Sequence, residues 1–439
     1  MWKKLLKFSL IFCLLTNWLI AKPGGNMHKN LRINPERLHN RIMTLAKIGE
    51  TPDGGVNRIA FTKEDIQGRD FIISLMKKIG LSVTIDEAAN IIGTLNGRSP
   101  NLPPILFGSH IDTVPNGGKY DGALGVLGAI ECIEVLKENN IIPNHPMQVI
   151  VFTNEEGGLT GSRGIIGQLD DHALNVVSQS GKTVKQGIKA LGGNPDKLDN
   201  AAKKKGDIKA FVELHIEQGA VLAAKNIQVG IVEGIVGINW WDVFIEGKAN
   251  HAGTTPMNLR QDALLAAGHL IVEVNRLARS IPGTQVATVG KISVQPGAYN
   301  VIPGSVSTSL EIRDLSEKKI QSIFHQVREK SREIARETKT KITFKAVEAA
   351  LPAPTDPGIR KVISGAAKGL GLSSLVMPSG AGHDAQSMAR ITRVGMIFIP
   401  SIGGISHSPK EFSRENDIAN GVNVLLHTIL KIDAGALEK

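Results

Sequence analysis

Sulfur and aromatic surface are both scarce in this chain. Two cysteines, Cys13 and Cys132, occur in 439 residues. Cys13 falls in an N-terminal stretch expected to be removed, so Cys132 stands alone and no intramolecular disulfide is expected. Cys132 lies on the Gly125 and Gly128 side of a helical pattern and reads as a small buried apolar residue. Aromatic residues make up 4% of the chain, too few for a surface that stacks nucleic-acid bases. The apolar run Phe8 to Ile20 spans 13 residues, short of the roughly 20 that cross a bilayer. No stable membrane anchor is therefore expected. No internal repeat or low-complexity tract is visible.

That short run belongs to a different pattern. Met1 to Lys7 is a basic leader, Phe8 to Ile20 an apolar stretch, and Ala21 a small residue where cleavage could occur. These are the parts of an export signal over residues 1–21, which predicts a periplasmic or secreted protein. Its three lysines and no acids bring the formal charge from +10 to +7 on removal. The remaining positive charge is spread, as at Lys203 to Lys205 and over 317–345. It reads as a solvated face, and no nucleic-acid partner is expected.

The chain is long enough for two domains, and its 47 glycines suit a loop-rich α/β enzyme. Residues 22–34 read as a loose terminus. Helical spacing then covers Pro35 to Ile48, and a second helix follows the capping Thr62 and ends at Gly80. Three apolar strand patterns carry polar residues at their C-terminal ends. Pro104 to Phe107 leads to His110, Asp112 and Asp121. Gln148 to Thr153 leads to Glu155 and Glu156, and Lys209 to His215 leads to Gln218. In an open α/β sheet that edge is where ligands bind. Around Gly234 to Gly237 the pattern changes. A strand over 240–246, a helix over 258–278, strands over 285–294 and 305–313, a helix over 316–336 and a strand over 341–347 follow. This β-α-β-β-α-β order predicts a ferredoxin-like insertion. The fold expected is α/β: a mostly parallel mixed sheet flanked by helices in 22–236 and 350–439, with the α+β insertion at 237–349. In the final part, helices are expected over 362–370 and 382–390, and the strand 394–400 leads to His407.

Hydrolysis of an amide needs an activated water, a base, and positive charge at the developing oxyanion. Two metal ions roughly 3.5–4 Å apart supply the first and last together. His110, Asp121, Glu156, His215 and His407 are ligand types at strand ends or in Gly-rich loops, enough for two ions that share one carboxylate. In the pair Glu155-Glu156 the side chains diverge, so one can ligate while the other serves as general base. Asp112, two residues after His110, can orient that imidazole. A solvated acidic turn and an ordinary capped loop are the plainer readings of these segments. Their coincidence at one sheet edge favours the metal centre.

The motifs GSHIDTVPNGGKYDG, FTNEEGGLTGSRG, ELHIEQG, GKANHAGTTPMNLRQDA, AYNVIPG, SLEIRD, MPSGAGHDAQ and GISHSPKEF run in order from residue 108 to 412. Together they resemble the N-carbamoyl-L-amino acid hydrolase, β-ureidopropionase and allantoate amidohydrolase group of the dinuclear-zinc aminoacylase and exopeptidase superfamily. The resemblance implies two divalent ions, zinc foremost, with manganese, cobalt or nickel as alternatives. It implies His110 and His215 on one ion, Glu156 and His407 on the other, Asp121 bridging, and Glu155 as base. It implies substrate contacts from Gln218, His251, Asn300, Arg313 and Gly382, with His251 assisting catalysis and His383 a further candidate. The insertion would then be a lid, and through it the chain would form a homodimer. The implied substrate is a small ureido acid: an N-carbamoyl-L-amino acid first, allantoate or N-carbamoyl-β-alanine next. An aminoacylase or dipeptidase is disfavoured by His215, where such relatives carry a carboxylate. An inactive binding protein is disfavoured by the complete ligand set.

Overall fold

The computed structural model describes residues 30–438, so the expected export signal and most of the terminus expected to be loose lie outside the described residues. A nine-stranded sheet holds the larger part of the core. Its centre is four parallel strands side by side: Met147–Phe152, Ile105–His110, Ala210–Ile216 and Val394–Ile399. Ile105–His110, Ala210–Ile216 and Val394–Ile399 are buried at every position. That burial explains why they read as continuous apolar runs without alternation. The helix Ala123–Glu138 packs on one face of this centre, against the helix Glu415–Asp433. On the other face Ile165, Ile208, Leu222, Ala385 and Met388 close over Leu106, Ile150, Phe211 and Phe398. The expected α/β class with a mostly parallel, helix-flanked sheet is what the chain adopts.

A second sheet of five strands is antiparallel throughout. Its long strands are Gly237–Glu246, Ser305–Asp314 and Lys341–Ala350. Trp241, Val243 and Ile245 are buried while Trp240, Phe244 and Glu246 are exposed, the alternation of a sheet covered on one face. The cover is the helix pair Ala263–Ser280 and Glu317–Thr338.

Several expectations need correction. The terminus is tied down by residue 33: Ile33 is buried, its N–H donates to Asn423, and the N–H of Asn34 donates to Glu131. The strand expected over 285–294 is two pieces, Val286–Thr288 and Ile292–Gln295, both paired to Ser305–Asp314. Between them Ser309 and Thr308 use their hydroxyls on Gly290 and Lys291, which interrupts the ladder. The helix expected from residue 258 starts at Ala263, because the Asp262 carboxylate caps the N–H groups of Leu264 and Leu265. The helix expected over 362–370 spans Pro357–Gly369, capped by Asp356. Two strands escaped the pattern. Val229–Ile235 is broken by two glycines and a glutamate. Ser374–Ser379 contains Pro378, tolerated because that strand pairs on one side only and shifts register between Met377 and Ser379.

Candidate metal centre

Asp121 is the hub of the site. Its Oδ1 lies 3.2 Å from His215 Nε2 and 3.5 Å from His110 Nε2. Its Oδ2 lies 3.4 Å from His407 Nε2, which is 3.5 Å from Glu156 Oε1. One carboxylate therefore faces two donor groups, one with each oxygen. Ligands on one tetrahedral ion at 2.0–2.2 Å stand roughly 3.4 Å apart, and these spacings match that edge. The far nitrogens of two rings are occupied, His110 Nδ1 at 3.0 Å from the Asp112 carbonyl and His215 Nδ1 at 3.0 Å from the Ile216 carbonyl. Each Nδ1 donates there, so Nε2 is the nitrogen left to ligate a cation. The donor set fits divalent ions of the zinc type, and a shared carboxylate suits two of them. A third group, Glu213, His215 and His383, also converges. Its Glu213 oxygens already accept from Ser109 and from the Ala385 N–H, and His383 Nε2 faces the Ser379 hydroxyl. That group therefore supports the centre from below.

Backbone geometry makes the meeting possible. Gly122 has φ +60°, and a Cβ there would stand 2.5 Å from the His110 ring. Only glycine lets the chain turn back tightly enough for Asp121 to face His110. Asp112 orients the His110 ring, as expected, and has a second use. Its backbone carbonyl holds the His110 ring, while its carboxylate accepts from the N–H groups of Glu155 and Glu156, 3.2 Å each. It thus couples the two ligand loops.

The cluster gathers more carboxylates than its histidines can balance. Burial pushes Asp121 up, but His215, His110 and His407 hold it well below the usual carboxylate range. Burial, with Glu156 adding, holds Glu155 well above its ordinary value. Burial and Asp121 push Glu156 up to about 7. The Asp121 hydrogen bond raises His407 to about 9 against its own burial. Cations entering such a cluster displace protons from it. Glu155 Oε2 sits 3.7 Å from His110 Nε2, beside the donors.

The remaining candidates divide in two. Gln218, at φ +58°, donates from Nε2 to Asp121 Oδ2 at 2.8 Å, and its Oε1 is buried without a partner. His383 is buried edge-on to His215, ring centroids 4.6 Å apart, and burial with His215 keeps it neutral. Gly382 precedes it in the same loop. His251 and Asn300 are exposed in the second-sheet region. His251 Nδ1 accepts from the N–H groups of Gly253 and Thr254, so the ring carries its proton on Nε2. Arg313 is engaged: Nε and Nη2 donate to Glu311 at 2.9 and 3.0 Å, and Nη1 donates to the Gly380 carbonyl at 2.8 Å. The structure thus gathers the five ligand candidates, Glu155, Gln218 and Asp112, while the hydrogen bonds of His251 and Asn300 are to neighbours in their own segment.

Like Glu213, Glu411 escaped the sequence reading. Glu411 is buried; its Oε1 accepts from the Tyr120 and Asp121 N–H groups, and the Ser406 hydroxyl stands between its Oε2 at 2.9 Å and Asp121 Oδ2 at 3.0 Å, with one proton to give to either. Glu411 stands four residues after His407 in GISHSPKEF, an acid beside Phe412, and that placement was the available signal.

Comparisons with known proteins bear on the fold and on the class of reaction. The model of peptidase family M20/M25/M40 matches residues 106–431, leaving the first two helices outside. An N-carbamoyl-L-amino acid amidohydrolase of Geobacillus stearothermophilus is 40% identical over 92% of the chain and all of its own length. A ureidoglycolate hydrolase of Arabidopsis thaliana is 38% identical over 94% of the chain and 90% of its own. The crystal structure of an amidase of the hydantoinase/carbamoylase family from Burkholderia multivorans superposes with TM-score 0.86 at 34% identity, over 91% of this chain and 98% of that one.

Proposed function

The chain belongs to the peptidase M20/M25/M40 family, and on that premise we propose that it removes the carbamoyl group from N-carbamoyl-L-amino acids. It is a hydrolase of C–N bonds. The observation that carries the reading is Asp121, with one oxygen toward His110 and His215 and the other toward His407 and Glu156. Two divalent ions, zinc foremost, held by these five residues would acidify a water and polarise the carbamoyl oxygen. Glu155 stands where it can take the water's proton and return it to the leaving nitrogen. Water adds to the carbamoyl carbon, the bond from that carbon to the amino nitrogen breaks, and the amine leaves protonated. The carbamate released decomposes to carbon dioxide and ammonia.

Recognition falls to the other candidates. The free Oε1 of Gln218 can accept from the ureido N–H groups. Arg313, with its planar fork, suits the substrate carboxylate, and Gly382 offers backbone contacts beside it. His251, with its proton on Nε2, can donate to the oxygen where negative charge develops, and Asn300 lies beyond the strand partner Val301. These roles need the region 237–349 to act as a lid over the site built by 22–236 and 350–439. The same region carries the proposed homodimer contact. Export through residues 1–21, with cleavage near Ala21, completes the proposal. N-terminal sequencing of the protein secreted or released from the periplasm checks it. Among the described residues no helix is long and apolar enough to cross a membrane.

A substrate panel tests the function. N-carbamoyl-α-amino acids, N-carbamoyl-β-alanine, allantoate, ureidoglycolate and dipeptides are each assayed for ammonia or amine release with zinc or manganese. Fastest turnover of an N-carbamoyl-L-amino acid is expected. Preference for allantoate or ureidoglycolate would move the substrate within the class. Two bound metal equivalents with no turnover of any ureido acid would overturn the reading.

A further inference from the structure

Two arginines are buried beneath the metal centre, and nothing in the proposed reaction uses them. Arg58 is 1% exposed and Arg69 4%. Neither makes an ion pair within 4 Å among the described residues, and the carboxylates of Asp65 and Asp112 offset their charge only from farther away. A guanidinium taken out of water without a carboxylate in direct contact is costly. The hydrogen bonds that hold each one therefore indicate what it is for.

Those of Arg58 converge on the loop that carries His110 and Asp112. Its Nε donates to the Ile111 carbonyl at 2.7 Å, the peptide between those two residues. Its backbone N–H donates to Thr113 Oγ1 at 2.9 Å, and its carbonyl accepts from the Thr113 N–H at 3.0 Å. From the other side, Nη1 reaches the carbonyls of Leu45 and Ile48 at 3.0 and 3.2 Å, at the end of the first helix. Arg69 does the same for the second loop. Its Nη1 donates to Thr153 Oγ1 at 3.4 Å, two residues before Glu155, and its Nη2 to the Ala89 carbonyl. The two loops are already tied together, since the Asp112 carboxylate caps the N–H groups of Glu155 and Glu156.

We propose that Arg58 and Arg69 are positioning residues, through which the N-terminal helix pair sets the separation of the His110 loop and the Glu155-Glu156 loop and so tunes metal affinity and the placement of the base. This rests on the metal centre described above. The helices involved, Pro35–Ala46 and Lys63–Lys78, precede the stretch that the family model matches. The second helix leaves room for the device at Gly68. A Cβ there would stand 2.6 Å from Arg58 Cδ, a mid-chain atom pinned on both sides.

Gly68 supplies a test that leaves the charge in place. Gly68→Ala favours its own helix, so the harm it does travels through the displaced Arg58. Arg58→Met and Arg69→Met remove the donors outright. Leu38→Ala, in the first helix and away from both loops, is the control for lost stability. For each variant, zinc affinity by chelator competition, melting temperature of the metal-free protein, and kcat and KM are measured. Residues that orient ligands from behind are typically worth 10- to 100-fold in metal affinity or activity. Gly68→Ala and Arg58→Met are expected to weaken zinc binding by about tenfold or more and to lower kcat with KM near parent. Arg69→Met is expected to lower kcat with a smaller loss of zinc affinity. Parent zinc affinity and kcat in a folded Gly68→Ala or Arg58→Met would overturn the proposal. So would losses no larger than those of Leu38→Ala at equal melting temperature. If the parent itself binds no metal, the metal-centre reading fails instead. Should Arg58→Met not fold, Gly68→Ala decides.

Discussion

The edge of the parallel sheet and the region 237–349 treat their polar residues in opposite ways. At the parallel edge His110 and His215 are 1% exposed and Asp121 5%, each held by backbone or buried side chains. In the second-sheet region His251 and Asn300 are exposed, and Arg313 is spent on Glu311 and Gly380. Four buried strands and the loops behind them fix His110, His215 and Asp121, while the half-exposed His407 is held from its Nε2 side by Asp121 and Glu156. In the proposed reaction the second region would exchange its partners for substrate. Metal binding would then rest on packing and substrate recognition on closure.

Substitutions can break that separation, and the largest effect belongs to the hub. Asp121→Ala should abolish turnover and leave less than one tightly held ion per chain by metal analysis after gel filtration. A variant that keeps both ions would show that the carboxylate is not shared. Glu155→Gln should retain both ions and lower kcat by about 10²- to 10⁴-fold; near-parent turnover would move the base elsewhere. Arg313→Ala should leave metal content untouched and raise KM for carboxylate-bearing substrates by about 10- to 100-fold, with kcat less affected. An unchanged KM would place the carboxylate clamp on another residue. The smallest effect is expected for Glu311→Gln, which frees Arg313 and should change KM by less than about tenfold, downward. An increase would mean that Glu311 orients Arg313 for the substrate. Small-angle scattering with and without a substrate analogue checks closure itself, and one unchanging profile would contradict a moving lid.

Much of the parallel edge was legible because three apolar runs each ended in a His, Asp or Glu. A run buried on both faces announces itself by composition, and its C-terminal end is a known address. Glu411 was not legible in the same way. An acid in a loop 290 residues after Asp121 carries no sign that its carboxylate will receive the Asp121 N–H. The strand Ser374–Ser379 was hidden by Pro378, and only its position at an edge makes that residue acceptable. Asp112 was found as a partner of the His110 ring, but its capping of two amides was not. Whether a carboxylate holds a ring or caps two amides depends on which loop packs against it.

The sequence by itself determined the family, the α/β class, and the residue types able to hold two ions, because strand periodicity, Gly-rich turns and ligand chemistry are local properties. The tertiary structure alone decided that the two oxygens of Asp121 part toward different donor groups, since that requires loops after three separate strands to meet. It also decided that Gly122 is what permits the approach and that Arg58 and Arg69 stand beneath the two ligand loops. The physical reason is the same in each case. Burial and hydrogen-bond partners are set by residues far away in the chain, and no window of sequence contains them.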